Sequence, residues 1–233
     1  MEHSQGLSGS RSSARCFSAH GAMAIASACT ESSPQREALE QYISAIFSAA
    51  YDARILEYLP LLFSLEQDQR YSAALGLRSA SVGPLFSEQY MDSAVEDEVL
   101  ALYGVQVRRR SIMEMGNLVA SSAGQSVLLY LLVIAALHEA GVGYLLFAAN
   151  KAVRASIRRS GFTPKILCVA EQDRLGAQAR NWGAYYQGEP FVMLADVSLG
   201  MEQAMAQPVM RKVIAAYRHA IPVLADSIRK HGS

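Results

Sequence analysis

Residues Ile112–Phe162 read IMEMGNLVASSAGQSVLLYLLVIAALHEAGVGYLLFAANKAVRASIRRSGF, and this stretch decides the fold. Ile112–Ala120 mixes apolar residues with a few polar ones, as a strand does. Ser121–Ser126 is short, polar and contains glycine, which is typical of a tight turn. The apolar run Val127–Leu137 is too short to span a bilayer, so it predicts a helix that is buried on most sides.

A second strand and a second helix follow this buried helix. Gly141 and Gly143 end the first helix. The apolar segment Tyr144–Ala149 then predicts a buried strand, and Arg154–Ser160 predicts a basic helix. The stretch is therefore a strand, a loop, a buried helix, a strand and a helix, in that order.

A strand, a loop of small residues and a helix start are together typical of an anion site. The N–H groups at a helix start have no partner inside the helix and carry the positive end of its dipole. Gly124 would let the backbone approach a ligand closely, and Ser126 is small enough not to block it. The alternative is a capped turn that binds nothing, which a glycine turn alone favours.

The spacing beyond this loop resembles the acyl-CoA-binding core of the GNAT acyltransferase superfamily. The matching positions are the loop's small residues, the Asn after the second strand and the closing Gly-Phe, which here are Gly124, Ser126, Asn150, Gly161 and Phe162. Ser121 stands where Gln or Arg is usual. Ile157 replaces the Tyr that often serves as general acid in that family.

A further resemblance, to the family named for thermostable haemolysin, covers roughly residues 49–197. The matching stretches are AALGLRSA (73–80), LFSEQYMD (85–92), Glu96, IMEMGNLVAS (112–121), RRSGF (158–162) and WGAYY (182–186). This resemblance implies an α/β fold of the GNAT type, with a mixed, mostly antiparallel sheet flanked by helices. The implied fold is related in layout to that of acyl-homoserine-lactone synthases.

The chain of 233 residues, with 51% hydrophobic and 18% charged residues, is long and apolar enough for one packed domain. Residues 1–37 are rich in Ser, Ala and Gly, and we expect a disordered tail there. Residues 38–200 would form the GNAT-like domain. Residues 201–233 predict a C-terminal helical extension, broken at Pro208 and Pro222. This extension would either pack on the domain or lie as an amphipathic surface helix.

The overall charge and the cysteines narrow the function class. Lys plus Arg and Asp plus Glu both number 21, and this balance argues against bulk binding to nucleic acid. We expect no signal peptide and no integral membrane segment. Three cysteines without metal spacing fit a reducing compartment, so we expect a cytoplasmic protein. The five scattered histidines argue against a His-based metal site, so we expect no metal.

Glu114 is the strongest catalytic candidate, since a carboxylate inside an apolar strand is costly unless it has a partner. Alternation along the strand would place Met113 and Met115 on one face and Glu114 on the other, with Ile112 and Gly116. The carboxylate would accept a proton from an amine nucleophile or bind the acceptor's ammonium group. The alternative is a structural ion pair with an arginine.

The other predicted site residues follow from the acyltransferase hypothesis. Asn117 would hydrogen-bond the acyl carbonyl or a pantetheine amide. Strand groups would pair with the pantetheine amides and loop amides would hold the phosphates, which gives the cofactor-binding set Leu118, Val119, Ala120, Gly124, Gln125, Ser126 and Asn150. The three arginines 108–110 are either a solvated edge or contacts for the phosphates of coenzyme A or for an acidic carrier protein.

The resemblance to the thermostable haemolysin family implies an acceptor pocket around LFSEQY that includes Glu96. Phe86 and Tyr90 are four apart and would share a helix face, although a core pair beside a solvated Glu explains them equally well. Trp182 would line a pocket or plug the splayed end of the sheet. The predicted substrate-binding residues are Phe86, Glu88, Tyr90, Glu96, Phe147 and Trp182.

The sequence thus predicts an acyltransferase that takes its acyl group from acyl-CoA or from an acyl-carrier phosphopantetheine. The acceptor would be a small amine-bearing molecule, and a carrier protein is a possible partner. The ligand cleft would open where the strand of Glu114 and the strand of Phe147 splay apart. Two alternatives remain: a haemolytic, membrane-active protein, as the resembling family's name suggests, and a non-catalytic binding module on the same fold.

Overall fold

The structure is a computed structural model that describes residues 14–15 and 24–231. Its strands are β1 Ala14–Arg15, β2 Ile25–Cys29, β3 Leu61–Gln67, β4 Arg70–Ser79, β5 Ile112–Ala120, β6 Tyr144–Ala149, β7 Lys165–Val169 and β8 Phe191–Asp196. They form one sheet in the order β1-β2-β3-β4-β5-β6-β8-β7. Neighbouring strands are antiparallel, except β5 and β6, which are parallel. The predicted mixed, mostly antiparallel α/β fold is confirmed.

Helices cover both faces of this sheet. They are α1 Arg36–Tyr51, α2 Val95–Tyr103, α3 Ala123–Ala140, α4 Lys151–Arg159, α5 Val197–Ala206, α6 Pro208–Ala216 and α7 Ala220–His231. Helices α3 to α7 cover one face and enclose the largest hydrophobic cluster. The other face is covered by α1, α2, a short 3-10 helix at Phe86–Tyr90 and the irregular segment 172–188.

Helix α3 is the central helix of the larger core. All residues from Leu129 to Leu137 are buried, and the helix packs against α7, α5 and the sheet. Among the described residues it is the one helix long and apolar enough to cross a membrane, and half of it is buried inside the protein. It begins at Ala123, earlier than predicted, because the Ser122 side chain accepts the N–H of Gln125 and caps the first turn. It ends at Gly141, whose φ of +80° suits a C-terminal cap.

Alternation along β5 distributes its side chains as predicted. Met113 and Met115 pack into the core under α3, and Ile112 packs into the cluster on the opposite face. Glu114 shares the face of Ile112 and is 2% exposed. The carboxylate therefore lies inside the protein.

Part of the predicted N-terminal tail belongs to the sheet. Strand β2 pairs with β3 over its whole length, and Ala26 and Cys29 are buried. The hydroxyl of Tyr217 donates to the carbonyl of Ala24 at 3.2 Å. The prediction of disorder is thus wrong from residue 24 to residue 37, because β3 offers a sheet edge that this segment completes. Residues 1–13 and 16–23 lie outside the described residues.

The C-terminal helices pack on the domain. Helix α6 starts at Pro208, where the missing N–H costs nothing. The predicted break at Pro222 is wrong, since Pro222 lies in the first turn of α7, where proline is tolerated. The chain bends at residues 217–219 instead, and Tyr217 there is completely buried.

Candidate functional site

The two parallel strands separate near the middle of the sheet. Their pairing runs from Ile112 opposite Tyr144 to Met115 opposite Phe147 and ends there, although β5 continues to Ala120. In the part of the chain that the structure describes, no strand pairs with that edge of β5 beyond Met115. The strands of Glu114 and Phe147 therefore splay apart where the sequence predicted.

A bulge in β5 lies directly after the last of these pairs. Its partners in β4 change from Gly76 opposite Gly116 to Ala74 opposite Val119, so β5 contains one extra residue. Asn117 lies in the bulge with a φ of +50°, a left-handed conformation that Asn tolerates better than most residues. Because a bulge bends its strand, it turns β5 away from β6.

Asn117 also binds the segment that precedes β3. Its side-chain oxygen accepts the N–H of Leu59 at 2.9 Å, and its amide group donates to the carbonyl of Glu57 at 3.3 Å. A Cβ added to Gly76 would come within 2.7 Å of the Leu59 Cβ, so glycine lets this segment lie close to the sheet. The Asn117 side chain therefore holds the bulge, and the predicted contact with an acyl carbonyl would have to use the second N–H of its amide group.

The predicted cofactor-binding residues of β5 and α3 lie side by side. Leu118 and Ala120 are half-buried on the free part of β5, and the chain then turns through Ser121 into α3. Gly124 is exposed in the first turn of that helix, whose first N–H groups have no partner within the helix. Gln125 is tied down, because its side-chain amide donates to Gln67 at 2.9 Å. The exposed helix start thus adjoins the unpaired strand edge.

Asn150 has a different environment from these residues. It is buried and caps α4, since its side-chain oxygen accepts the N–H of Val153 at 3.0 Å. Its amide group donates to the hydroxyl of Tyr51 at 2.8 Å. Its place in the structure is that of a helix cap which joins α4 to α1.

An apolar pocket of about 520 Å³, its open mouth included, lies under the split on the α3 side of the sheet. Its lining comes from β5, α3, β6, α4, the turn after α4, and α5: Met115, Tyr130, Val133, Ile134, Leu145, Phe147, Ile157, Phe162, Thr163, Pro164, Ala195, Asp196, Leu199, Gly200 and Gln203. Phe147, predicted to bind substrate, belongs to this pocket.

The sheet register gives the pocket a direction. Met115 and Phe147 are the last paired residues before the split, so they form its inner end. Asp196 pairs with Tyr144, the first residue of β6, which places the start of α5 at the other end of these strands. The pocket therefore runs from the split down to α5.

Tyr130 is the polar side chain near the inner end. Burial raises the pKa of its hydroxyl, and hydrogen bonding to the side chains of Ser156 and Ser126 offsets part of that effect. The phenol therefore keeps its proton at neutral pH.

An aromatic cluster lies on the opposite face of the sheet. As predicted, Phe86, Tyr90 and Trp182 come together, with ring centroids 5.9 Å apart for Phe86–Tyr90 and 5.6 Å for Phe86–Trp182. The hydroxyls of Tyr90 and Tyr186 are 2.5 Å apart, and burial raises the pKa of Tyr186 to about 12. Trp182 packs into both clusters of this face and is half-buried, so it fills the space beside the split and still presents a surface.

Glu114 binds the segment that carries this cluster. One carboxylate oxygen accepts the N–H of Phe86 at 2.9 Å and the other accepts the N–H of Ser87 at 2.6 Å. Burial raises the carboxyl's pKa, and the bonds from Ser87 and Phe86 and the charge of Arg78 lower it in part. The carboxylate thus caps the start of the 3-10 helix, and its oxygens retain the capacity to accept a further hydrogen bond.

The two other predicted acids are held by a single arginine. Arg109 forms a two-bond pair with Glu88 at 2.8 and 2.9 Å and binds Glu96 at 2.8 Å. It also donates to the carbonyls of Ala80 and Gly83. The alternatives of a solvated Glu88 and of a solvated Arg109 are therefore wrong, because these charges pair with one another. That Glu88 and Glu96 bind substrate stays a prediction.

A family profile described as "Thermostable hemolysin" matches residues 29–201. The chain belongs to the thermostable hemolysin family. The matched region of this thermostable hemolysin family member begins in β2 and ends in α5, so it contains the split, the aromatic cluster and the pocket lining except Gln203. A comparison with curated proteins finds no match.

Solved structures resemble this thermostable hemolysin family member over most of its length. The AHL synthase LasI matches with a TM-score of 0.53 at 8% identity, over 76% of this chain and 91% of LasI. TofI in an apo form gives 0.54 at 11%, over 79% and 98%. FeeM, an N-acyl amino acid synthase from uncultured soil microbes, gives 0.51 at 14%, over 80% and 99%. These similarities establish the shared fold.

Sequence reasoning missed most of the pocket. Tyr130 is the one polar interruption of the apolar run of α3, which is a signal that could have been noticed. Gly200 and Gln203 lie in α5, and Thr163 lies in the turn after α4, far from them in sequence. Only the folded chain brings them together.

Proposed function

We propose that this protein transfers an acyl group from a thioester, either acyl-CoA or an acyl-carrier phosphopantetheine, to a small amine-bearing acceptor. The observation that carries this proposal is the split between β5 and β6, which connects an exposed helix start, a free strand edge and an apolar pocket. A thioester donor needs these three surfaces for its phosphates, its pantetheine amides and its acyl chain.

The donor would lie along the free part of β5. Phosphate oxygens would accept N–H groups at the start of α3, chiefly that of Gly124, because the N–H groups of Gln125 and Ser126 already donate to Ser122. The helix dipole favours negative charge there. Pantetheine amides would pair with the backbone of Leu118 to Ala120 as an added strand does. This placement brings the thioester to the point where Met115 and Phe147 end the pairing.

The acyl chain would enter the apolar pocket below that point. Burying each methylene contributes about 0.8 kcal/mol, so a lining that is almost wholly hydrocarbon favours an unbranched or lightly branched alkyl group. The acceptor would approach from the opposite face, where Phe86 and Trp182 present half-buried rings. Donor and acceptor would thus meet in the split from the two sides of the sheet.

The reaction would form one bond and break another. The amine nitrogen attacks the thioester carbon, the carbon–sulfur bond breaks, and the amine's proton and the thiolate leave as the thiol. Backbone N–H groups of the unpaired part of β5 would polarise the carbonyl oxygen. Most of the rate enhancement would come from holding the two reactants in line. Glu114 would position the LFSEQY segment, and its direct role as a base remains a prediction.

The printed descriptions of two structural neighbours support this chemistry. LasI is an AHL synthase and FeeM is an N-acyl amino acid synthase, and an N-acyl amino acid is a product of amine acylation. The membrane-active alternative would have to use α3, whose central residues lie in the core of the domain. The acyl-transfer proposal needs no such rearrangement.

The test is ligand-induced stabilisation of the purified protein by a series of acyl-CoAs and by acyl-carrier protein. A ligand at a hundred times its Kd should add about 2.7 kcal/mol. Gly124→Val should abolish this stabilisation without unfolding the protein, since a Cβ at Gly124 would meet only the Ser122 hydroxyl, at 3.9 Å. Ala215→Val, at an exposed position of α6, is the control and should keep the full effect.

Two results would reject parts of this proposal. If neither class of donor stabilises the wild-type protein, acyl transfer by this chain is wrong. If Gly124→Val keeps the full stabilisation, the donor does not bind at the start of α3.

A further inference from the structure

The outer end of the apolar pocket is formed by a glycine in helix α5. Gly200 is buried against Ile134 of α3. A Cβ added to Gly200 would lie 3.3 and 3.4 Å from two carbons of the Ile134 side chain, which is tighter than ordinary contact. Glycine within a helix costs roughly 1 kcal/mol relative to alanine. Glycine at this position therefore lets α5 pack closely against Ile134, although it weakens the helix.

A pair of hydrogen bonds closes the mouth beside Gly200. The side-chain amide of Gln203 donates to the Thr163 hydroxyl at 2.5 Å, and the Thr163 N–H donates to the Gln203 side-chain oxygen at 3.2 Å. Thr163 is exposed, as is Leu199 at 37%. The pocket thus ends at a polar bridge on the protein surface, whereas its inner end at Met115 and Phe147 is buried.

We infer that Gly200 and the Thr163–Gln203 bridge set the maximum length of the acyl chain that this protein accepts. This inference rests on the proposed acyl transfer and deepens it. An acyl chain that enters at the split runs along Ile134 and reaches Gly200 last. A longer chain has to break the bridge or leave methylenes outside the pocket.

The affinity for an acyl ligand should therefore depend on the length of its acyl chain in two regimes. Each additional buried methylene raises affinity by about fourfold, the equivalent of about 0.8 kcal/mol. The increase should stop at the length where the chain end meets Gly200 and the bridge. Beyond that length the affinity should stay level or fall.

Two variants should move this limit in opposite directions. Gly200→Leu fills the outer end, so the plateau should come roughly two or more methylenes earlier, which lowers affinity for longer chains by about tenfold or more. Gln203→Ala removes both bonds of the bridge, so the plateau should move to longer chains. Ser198→Leu, at an exposed position of the same helix outside the pocket, should leave the plateau unchanged. Should Gly200→Leu fail to fold, Gly200→Ala and Gln203→Ala still test the inference.

The measurement is binding of saturated acyl-CoAs from butyryl- to palmitoyl-CoA, with n-alkanols from butanol to dodecanol as a second series. Alkanols need no phosphate site, so they report on the pocket alone. A shifted alkanol plateau with no acyl-CoA binding would leave this pocket inference intact and reject the donor. Acyl-CoA binding whose plateau is the same in wild type, Gly200→Leu and Gln203→Ala would reject the inference and leave the proposed function intact.

Discussion

Replacing Glu114 by glutamine gives the sharpest test of what this buried carboxylate does. The carboxylate accepts two backbone N–H groups, one from Phe86 and one from Ser87, with one oxygen for each. Glutamine keeps the shape but has a single acceptor oxygen. Its NH₂ group would then face one of the two backbone donors, and that buried N–H would have no acceptor.

The expected loss follows from this exchange. A hydrogen bond to a charged group contributes about 1.5–3 kcal/mol, and stranding a buried donor costs about 1–3 kcal/mol. The two terms overlap, so we expect Glu114→Gln to lower the free energy of unfolding by about 3 kcal/mol. Glu202→Gln, at an exposed position of α5, is the control and should change it by less than about 0.5 kcal/mol.

Urea unfolding followed by tryptophan fluorescence suits this test. Trp182 is the chain's only tryptophan and packs against Phe86, so it reports on the segment that Glu114 holds. Turnover per folded molecule should be measured alongside. A variant as stable as the control, with acyl transfer reduced by about 10²-fold or more, would refute the positioning role and make Glu114 a catalytic residue.

Three further predictions follow from the same contacts. Burial raises the pKa of the Glu114 carboxyl above its ordinary value of 4.5. The protonated carboxyl therefore contributes stability that is fully present below pH 4.5 and is lost as pH rises through the folded-state pKa. The difference in unfolding free energy between wild type and Glu114→Gln should narrow with rising pH, and a widening difference would contradict the direction of the shift. Arg109→Gln should lower the free energy of unfolding by about 2 kcal/mol, because it leaves Glu88 and Glu96 unpaired; the loss is smaller than for a fully buried pair because the Arg109 side chain is 30% exposed. Urea unfolding would measure this loss, with Arg110→Gln as the control. Equal stabilities of the two variants would show that the Arg109 network does not stabilise the fold. Deleting residues 1–23 removes the short strand β1 and should cost on the order of 1 kcal/mol. Deleting residues 1–30 also removes β2 and should cost on the order of 3–5 kcal/mol, at roughly 1 kcal/mol per lost sheet hydrogen bond, and it should promote aggregation through the exposed edge of β3. Equal melting temperatures for the two deletions would refute the role of β2.

The sequence predicted those parts of the fold that local pattern determines. The bounds of β5 and β6 were predicted correctly, because apolar runs of strand length stood between clear turn signals. The alternation that separates Glu114 from Met113 and Met115 was also readable, since side chains on a strand alternate whatever lies around them.

Contacts between distant parts of the chain could not be predicted from the sequence. The segment IASAC has little strand character of its own and became β2 through pairing with β3 and through Tyr217, which is 193 residues away from Ala24. The partners of Glu114 are backbone N–H groups, which every residue possesses, so no residue type in the sequence identifies them. Arg109 lies 21 residues from Glu88 and 13 from Glu96, and only the fold makes them neighbours.

The Glu-x-Gly-Asn motif builds the split through three separate contacts. Glu114 fixes the LFSEQY segment on one face of β5. Gly116 leaves room for the Leu59 side chain, whose nearest carbon would lie 3.1 Å from an added Cβ. Asn117 then takes the left-handed conformation of the bulge and binds Leu59 and Glu57. All three residues therefore determine the shape of β5. The geometry that the proposed reaction needs explains the residue types of this motif without any contact between them and a substrate.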